Sequence, residues 1–217
     1  MQFVFEQIRV GGDRNLAYLI GDRDAGVAAI FDPSYAPETV VQRAEAQGLK
    51  VTCIVNTHGH ADHTNGNEKA RELTGAPLAA FRSADSAPEL PLDDGAELEV
   101  GALSLRALHT PGHKDDHLCF YSSDLRAALT GDLLFVGKVG GTGKEEDARV
   151  EFESLARLLR EIPGDTTVWP GHDYGCRPSS TAALEKSTNP FLCAGDVDEF
   201  LALKSDWKEF KLCHGLV

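Results

Sequence analysis

The stretch Thr57-His58-Gly59-His60-Ala61-Asp62-His63 decides how the rest of this 217-residue chain is read. It follows residues 51–56, Val-Thr-Cys-Ile-Val-Asn, an apolar run that reads as a buried strand. In extended chain, side chains two residues apart point the same way, so His58 and His60 can converge on one metal ion. Gly59 lets the backbone turn tightly between them. Asp62 and His63 come after the turn and can face the other side, which suits a second ion a few Å away. A polar loop capping the next helix is the competing account. Four metal-competent side chains within six residues, separated only by small ones, weigh against it. Imidazole and carboxylate without thiolate fit Zn²⁺, Fe²⁺ or Mn²⁺.

Outward from this stretch, three more segments carry the same chemistry. Residues 109–117 read His-Thr-Pro-Gly-His-Lys-Asp-Asp-His, and the Pro111-Gly112 pair rules out a continuous helix there. His113 sits at a strand-to-loop exit after that turn and is the expected ligand. His109 ends one strand and His117 begins the next, so both are expected to be satisfied internally or to support a ligand. Residues 127–130 run into Gly131-Asp132, and residues 167–169 run into Pro170-Gly171-His172-Asp173-Tyr174. An Asp after Gly is by itself a turn residue, and a lone His is usually structural. Taken together, all four segments put a metal-competent side chain just past the C-terminal end of a strand, where α/β folds collect their sites.

Strand-like runs recur at 3–10, 16–20, 27–32, 51–56, 78–81, 103–109, 118–122, 127–130 and 167–169. Helical spacing covers 37–47, with Val40, Val41 and Ala44 on one side. It also covers 149–162, where Phe152, Leu155, Leu159 and Ile162 are expected inside and Glu151, Glu153, Arg157 and Arg160 outside. The tail from residue 178 reads mostly helical. Strands first and helices interspersed, then last, predict an α/β sandwich with helices covering two sheets. Neither a repeat nor a low-complexity linker interrupts it, so one compact unit is expected.

The net charge of −13 is spread evenly, −7 through residue 110 and −6 after it, leaving no basic half to track a phosphate backbone. Nucleic acid is excluded as the expected partner. The opening MQFVFEQIRV alternates like a strand and contains Glu6, unlike a signal peptide, and no apolar run approaches a membrane span. Five scattered cysteines without a C-x-x-C pair read as reduced thiols. A cytoplasmic location is expected.

The motifs H-x-H-x-D-H, T-P-G-H, G-D and P-G-H-D-Y, in this order between His58 and Tyr174, resemble the metallo-β-lactamase superfamily. Within it the chain resembles the branch of glyoxalase II (hydroxyacylglutathione hydrolase) and persulfide dioxygenase. The segment Asn189-Pro190-Phe191-Leu192 is similar to glyoxalase II as well. The resemblance implies a four-layer αβ/βα sandwich with its site at the mouth between two sheets. It implies a catalytic domain at 1–177 and a helical segment at 178–217 packed on it. Carried over by position, it implies one divalent ion on His58, His60 and His113, and a second on Asp62, His63 and His172, with Asp132 bridging. Zn²⁺ comes before Fe²⁺ or Mn²⁺. Such ions make water nucleophilic at neutral pH, and the implied reaction is hydrolysis of a small-molecule thioester, with Asp62 and Asp132 as catalytic residues. Tyr174 matches a glutathione-contacting tyrosine. Gly141 stands where the family carries a basic residue, so Lys138 and Lys144 are the candidates to replace it. Lys204 and Lys208, at i and i+4, resemble the basic residues of the substrate helix. The alternative within the branch is a persulfide dioxygenase holding one Fe²⁺ on His58, His113 and Asp132. A third reading, from another class, is a non-catalytic metal-stabilised interaction module.

Overall fold

The computed structural model describes residues 2–214. The first half of the chain builds β1 (Phe3–Gly11), β2 (Asn15–Asp22), β3 (Val27–Phe31), α1 (Pro37–Glu45), β4 (Lys50–Val55), α2 (Ala61–Thr64), α3 (Asn67–Thr74), β5 (Leu78–Phe81) and β6 (Leu90–Leu92). Its six strands form one sheet in sequence order, antiparallel from β1 to β3 and parallel from β3 to β6. The second half supplies β7 (Glu97–Val100), β8 (Leu103–His109), β9 (Leu118–Ser122), β10 (Ala127–Gly131), β11 (Leu134–Phe135), β12 (Lys138–Val139), α4 (Glu145–Glu161), β13 (Thr167–Pro170), β14 (Ser180–Thr181), α5 (Ala182–Thr188), α6 (Val197–Ser205) and α7 (Trp207–His214). Its main sheet runs β14-β13-β10-β9-β8-β7, and β11 pairs with β12 as a small ribbon.

Period-two alternation assembles the layers. On β2, Leu16, Tyr18 and Ile20 face the second sheet, where Leu103, Leu105 and Phe120 meet them. The intervening Ala17 and Leu19 face the other way, onto Val40, Val41 and Ala44 of α1. Both faces of β2 are therefore covered, and all eight of its residues are buried. On the far side, Leu108, Cys119 and Ala128 of the second sheet pack against Leu155 and Leu158 of α4 and Phe200 of α6. The result is the expected four-layer sandwich, helix–sheet–sheet–helix. Among the described residues, no helix is long and apolar enough to cross a membrane.

Three readings of the pattern need correction. α4 begins at Glu145, earlier than residue 149, and its buried face is turned. Ala148, Glu151, Ser154, Leu155 and Leu158 point inward, while Phe152 and Leu159 are only half-buried. Glu151, expected in solvent, is fully buried because the ammonium of Lys204 reaches it from α6. A buried carboxylate needs a compensating partner, and helical spacing cannot reveal this one. Lys204 and Lys208 do not share one helix face. α6 ends at Ser205 and α7 starts at Trp207, whose ring packs 4.7 Å from Phe191. α3, β6 and β7 escape the pattern because α3 is polar with only Asn67 and Ala70 buried, and the two strands span three and four residues.

Candidate metal centre

Four strand ends and one hairpin meet at the mouth between the sheets. β10 and β13 run parallel with Gly131 beside Pro170, so Asp132 and His172 emerge next to each other. β4 delivers the 57–63 loop from the opposite sheet, and the N–H of Leu118 donates to Thr57 O (2.7 Å), tying the sheets together there. The β1–β2 turn closes the mouth: the N–H of Leu16 donates to Gly171 O (2.9 Å), and Tyr18 Oη donates to Pro170 O (2.5 Å).

The seven expected ligands come together in two groups. In the first, His58 Nε2 lies 3.0 Å from His60 Nδ1, which lies 2.9 Å from His113 Nε2. In the second, His63 Nε2 and His172 Nε2 are 3.2 Å apart, with Asp62 Oδ2 at 3.6 and 3.4 Å from them. Asp132 stands between the groups. Its Oδ1 is 3.5 Å from His63 Nε2, and its Oδ2 is 3.3 Å from His172 Nε2 and 3.6 Å from His113 Nε2. Donor atoms around one ion with bonds of about 2.0–2.1 Å sit about 3.0–3.4 Å apart, close to the 2.9–3.6 Å measured within the two groups.

The hydrogen bonds behind the ligands fix which nitrogen faces inward. Asp32, buried, accepts from His63 Nδ1 (2.9 Å), Thr57 N (2.9 Å) and Thr57 Oγ1 (2.7 Å). Since Thr57 spends its hydroxyl proton on that carboxylate, it accepts from His58 Nδ1 (3.0 Å). His113 Nδ1 donates to Gly141 O (2.7 Å) and His172 Nδ1 to Asp13 O (2.8 Å). In all four rings the Nε2 is left for the cluster. Asn15 Nδ2 donates to Asp62 Oδ2 (2.9 Å), and Ser34 Oγ donates to Asp62 O. Asp132 Oδ1 is buried without a hydrogen-bond donor. Convergent nitrogens and an undonated buried carboxylate oxygen fit divalent cations.

The electrostatics agree with that fit. Burial presses the pKa values of His58, His60 and His113 down, keeping these imidazoles neutral as ligands require. Burial acts against the charged form of His63 too, yet Asp32 and Asp132 hold it well above the usual range. Burial would raise Asp132, but the neighbouring His63 and the hydrogen bond from His172 keep it well below the usual carboxylate range. A cation replacing the proton on His63 Nε2 meets the same favourable field.

The other two histidines of the second window are accounted for within the protein. His109 stacks on Phe81 (4.0 Å, 6°) and donates to Asp115 O (2.7 Å). His117 Nε2 accepts from Asp132 N (3.1 Å), so its proton sits on Nδ1 and goes to Thr110 Oγ1 (2.9 Å). Replacing His117 with alanine is expected to lower metal affinity about 10–100-fold without removing a ligand. His109→Ala is expected to leave affinity unchanged. Competition against a chromophoric chelator checks both.

A cleft of about 760 Å³ opens beside His172, lined by Arg14, Lys138, Tyr174, Cys176, Trp207 and Lys211 among others. Tyr174 stacks on His172 (4.7 Å, 4°) and donates to Asp13 Oδ2 (2.7 Å). Lys138 Nζ lies 4.0 Å from the centre of the Tyr174 ring, and Arg14 Cζ lies 5.0 Å from it. Burial, and then the ammonium of Lys211, press the Lys138 pKa down. Of the basic residues expected from sequence, Lys138 lines this cleft. Lys144 and Lys204 line a neighbouring cavity of about 480 Å³, with Lys204 turned onto Glu151 and Gly140 O, and Lys208 is exposed. Arg14, Trp207 and Lys211 carry no sequence signal, because a hairpin tip and a terminal helix have no local motif.

The model of the metallo-β-lactamase superfamily matches residues 10–172, from β1 through His172. The chain belongs to the metallo-β-lactamase superfamily. A hydroxyacylglutathione hydrolase from Rhodospirillum rubrum is 38% identical over 185 residues, covering 82% of this chain and 69% of that protein. The mitochondrial persulfide dioxygenase ETHE1 of Homo sapiens is 32% identical over 179 residues, covering 81% and 70%. The crystal structure of ETHE1 from Myxococcus xanthus superposes with a TM-score of 0.87 at 32% identity, covering 94% of this chain and 91% of that one. Within the superfamily the chain falls in the glyoxalase II and ETHE1 branch, as its motifs implied. Metallo-β-lactamase membership implies an enzyme that binds divalent metal, and the His/Asp cluster at the mouth is where this chain offers the ligands.

Proposed function

We propose that the chain is a two-metal hydrolase of thioesters, of the hydroxyacylglutathione type. The observation that carries this reading is the second group of ligands. Asp62, His63 and His172 are assembled as completely as His58, His60 and His113, and Asp132 stands between the two. These residues would hold a pair of divalent ions, Zn²⁺ before Fe²⁺ or Mn²⁺, whose chemistry there would be to make a water nucleophilic near neutral pH and to polarise the thioester carbonyl. The protein residues do the remainder. Asp62, its Oδ2 held by Asn15 and partly exposed to solvent, orients the attacking water and takes its proton. Arg14, Lys138 and Lys211 receive the carboxylates of the thiol carrier, and the Tyr174 ring gives its backbone a flat surface beside the reacting centre. The small, anionic substrate suits this cationic cleft within an otherwise acidic protein of net charge −13, and nucleic acid does not.

Lys138→Ala is expected to raise KM for S-lactoylglutathione about tenfold while kcat stays within about threefold, because the ammonium binds a part of the substrate that does not react. Steady-state kinetics check this.

One observation favours a second reading. The chain superposes on ETHE1 from Myxococcus xanthus over nearly its full length. Under that reading His58, His113 and Asp132 hold a single Fe²⁺, leaving positions for O₂ and a persulfide. The deciding experiment is anaerobic metal quantification of natively expressed protein, paired with hydrolysis of S-lactoylglutathione and oxygen uptake on glutathione persulfide. Two ions per chain with release of acid and thiol are expected. One iron per chain with oxygen consumption would overturn the hydrolase reading. If neither substrate turns over, the interaction-module reading gains.

A further inference from the structure

Glu151 and Lys204 form a buried ion pair that the proposed chemistry does not use. Glu151 is fully buried on α4, and the side chain of Lys204, on α6, is 12% exposed. The pair lies directly behind the metal ligand His113, against both segments that determine where its ring stands.

The first segment is the turn that presents His113. Gly112 has φ +131°, and a Cβ placed there would come within 2.5 Å of Glu151 N, Cα and Cβ, so this turn rests on the α4 backbone at Glu151. One helical turn on, Ser154 Oγ donates to Pro111 O (2.7 Å). The second segment is the Gly140-Gly141 strip. Lys204 Nζ donates to Gly140 O (2.8 Å) as well as to Glu151 Oε2, and the next carbonyl, Gly141 O, accepts from His113 Nδ1 (2.7 Å). The strip is packed without slack. A Cβ on Gly140 would lie 2.0 Å from Asp132 O, 3.0 Å from His113 Nδ1 and 3.1 Å from Glu151 Oε1. Glu151 Oε1 itself is buried and accepts no hydrogen bond, so among the described residues the carboxylate's one ionic partner is Lys204.

Buried ion pairs rarely add net stability over an apolar pair of the same volume. What this pair adds is direction. One ammonium joins two chain segments that both touch His113, and the stem that carries it comes from α6. We propose that Glu151 and Lys204 are positioning residues for His113: the ion pair fixes the Gly140-Gly141 strip, and the Gly141 carbonyl in turn fixes the imidazole so that Nε2 faces the metal. α6 is thereby coupled to the first metal group.

The inference takes His113 as a metal ligand, as the reading above does, and its test separates the two. The variants are Lys204→Met and the double variant Glu151→Met/Lys204→Met. The double variant leaves no unpaired buried charge, so it folds even where the single one does not, but it still lacks the donor to Gly140 O. Two quantities are measured on zinc-loaded protein: hydrogen exchange of the His113 Nδ1–H by ¹⁵N NMR, and zinc affinity by chelator competition. Both variants are expected to exchange the His113 proton at least about tenfold faster and to bind one zinc about 10–100-fold more weakly. The His172 Nδ1–H, donated to Asp13 O on the far side of the centre, is expected to keep its wild-type exchange rate. Wild-type exchange and affinity in the double variant would overturn the proposal, since the pair would then act only by mutual neutralisation. Equal acceleration at His113 and His172 would overturn it too, as a general loosening of the fold. Failure of the wild-type protein to hold two zinc ions would count against the two-metal reading, and the exchange rate at His113 would still decide whether the pair positions that ring.

Discussion

Replacing Asp132 with alanine is expected to cut turnover by on the order of 10³-fold or more and to release ions from both metal groups, not from one. The carboxylate lies within 3.3–3.6 Å of Nε2 in His63, His172 and His113, rings that belong to different groups. Asp62, the other carboxylate of the cluster, lies beside His63 and His172 of the second group, so among the described residues Asp132 is the carboxylate placed between the two. Removing Asp132 also takes away negative charge that offsets the cost of gathering two cations in a buried pocket. Asp132→Asn keeps the shape and the backbone donation to His117 but halves the acceptor capacity. Its loss in turnover is expected to lie between wild type and alanine. Metal analysis on the purified variants reads the first effect, and S-lactoylglutathione hydrolysis the second. Retention of two tightly held ions in Asp132→Ala would show that the carboxylate does not bridge.

Asp32→Ala is expected to be the most damaging change at a residue that touches no ion. Its carboxylate accepts from His63 Nδ1, Thr57 N and Thr57 Oγ1, and Thr57 passes the order on to His58. Truncation leaves three buried donors unanswered and removes the charge that keeps His63 well above its usual pKa. Breaking such a buried pair costs about 3–5 kcal/mol. The residue also has φ +45°, a conformation Asp tolerates better than Ala. For a domain of this size a loss of that order lowers Tm by roughly 6–20 °C. Calorimetry of metal-loaded and metal-stripped protein checks it. Because His63 and His58 sit in different metal groups, metal affinity is expected to fall in both. A variant that melts like wild type would mean that the two histidines are oriented by packing instead.

The candidate metal ligands are legible in the sequence because each is governed by a few residues of local chain. Strand, then a tight turn, then an imidazole or carboxylate is a pattern that backbone geometry enforces over five or six positions, and it recurs at His58–His63, His113, Asp132 and His172. The roles of His109 and His117 were legible in outline for the same reason. The cationic cleft was only half legible. Lys138 and Tyr174 lie near motifs, whereas Arg14 sits at the tip of the first hairpin and Lys211 on the last helix. For Glu151 the local pattern points to the wrong environment. On a helix wheel a glutamate belongs in solvent, and only a lysine 53 residues away reverses that.

By itself, then, the sequence determined which side chains can bind divalent cations, that they follow strand ends, and that two sheets with helical covers carry them. Those properties belong to residue type and short-range spacing, which the chain holds wherever it goes. The tertiary structure alone decided which ring nitrogen His58, His63, His113 and His172 each turn inward, which cations face the cleft, and that a charged pair could be buried behind His113. These depend on partners brought from distant parts of the chain. The energy of a buried charge or an oriented imidazole is set by the group opposite it, and folding is what chooses that group.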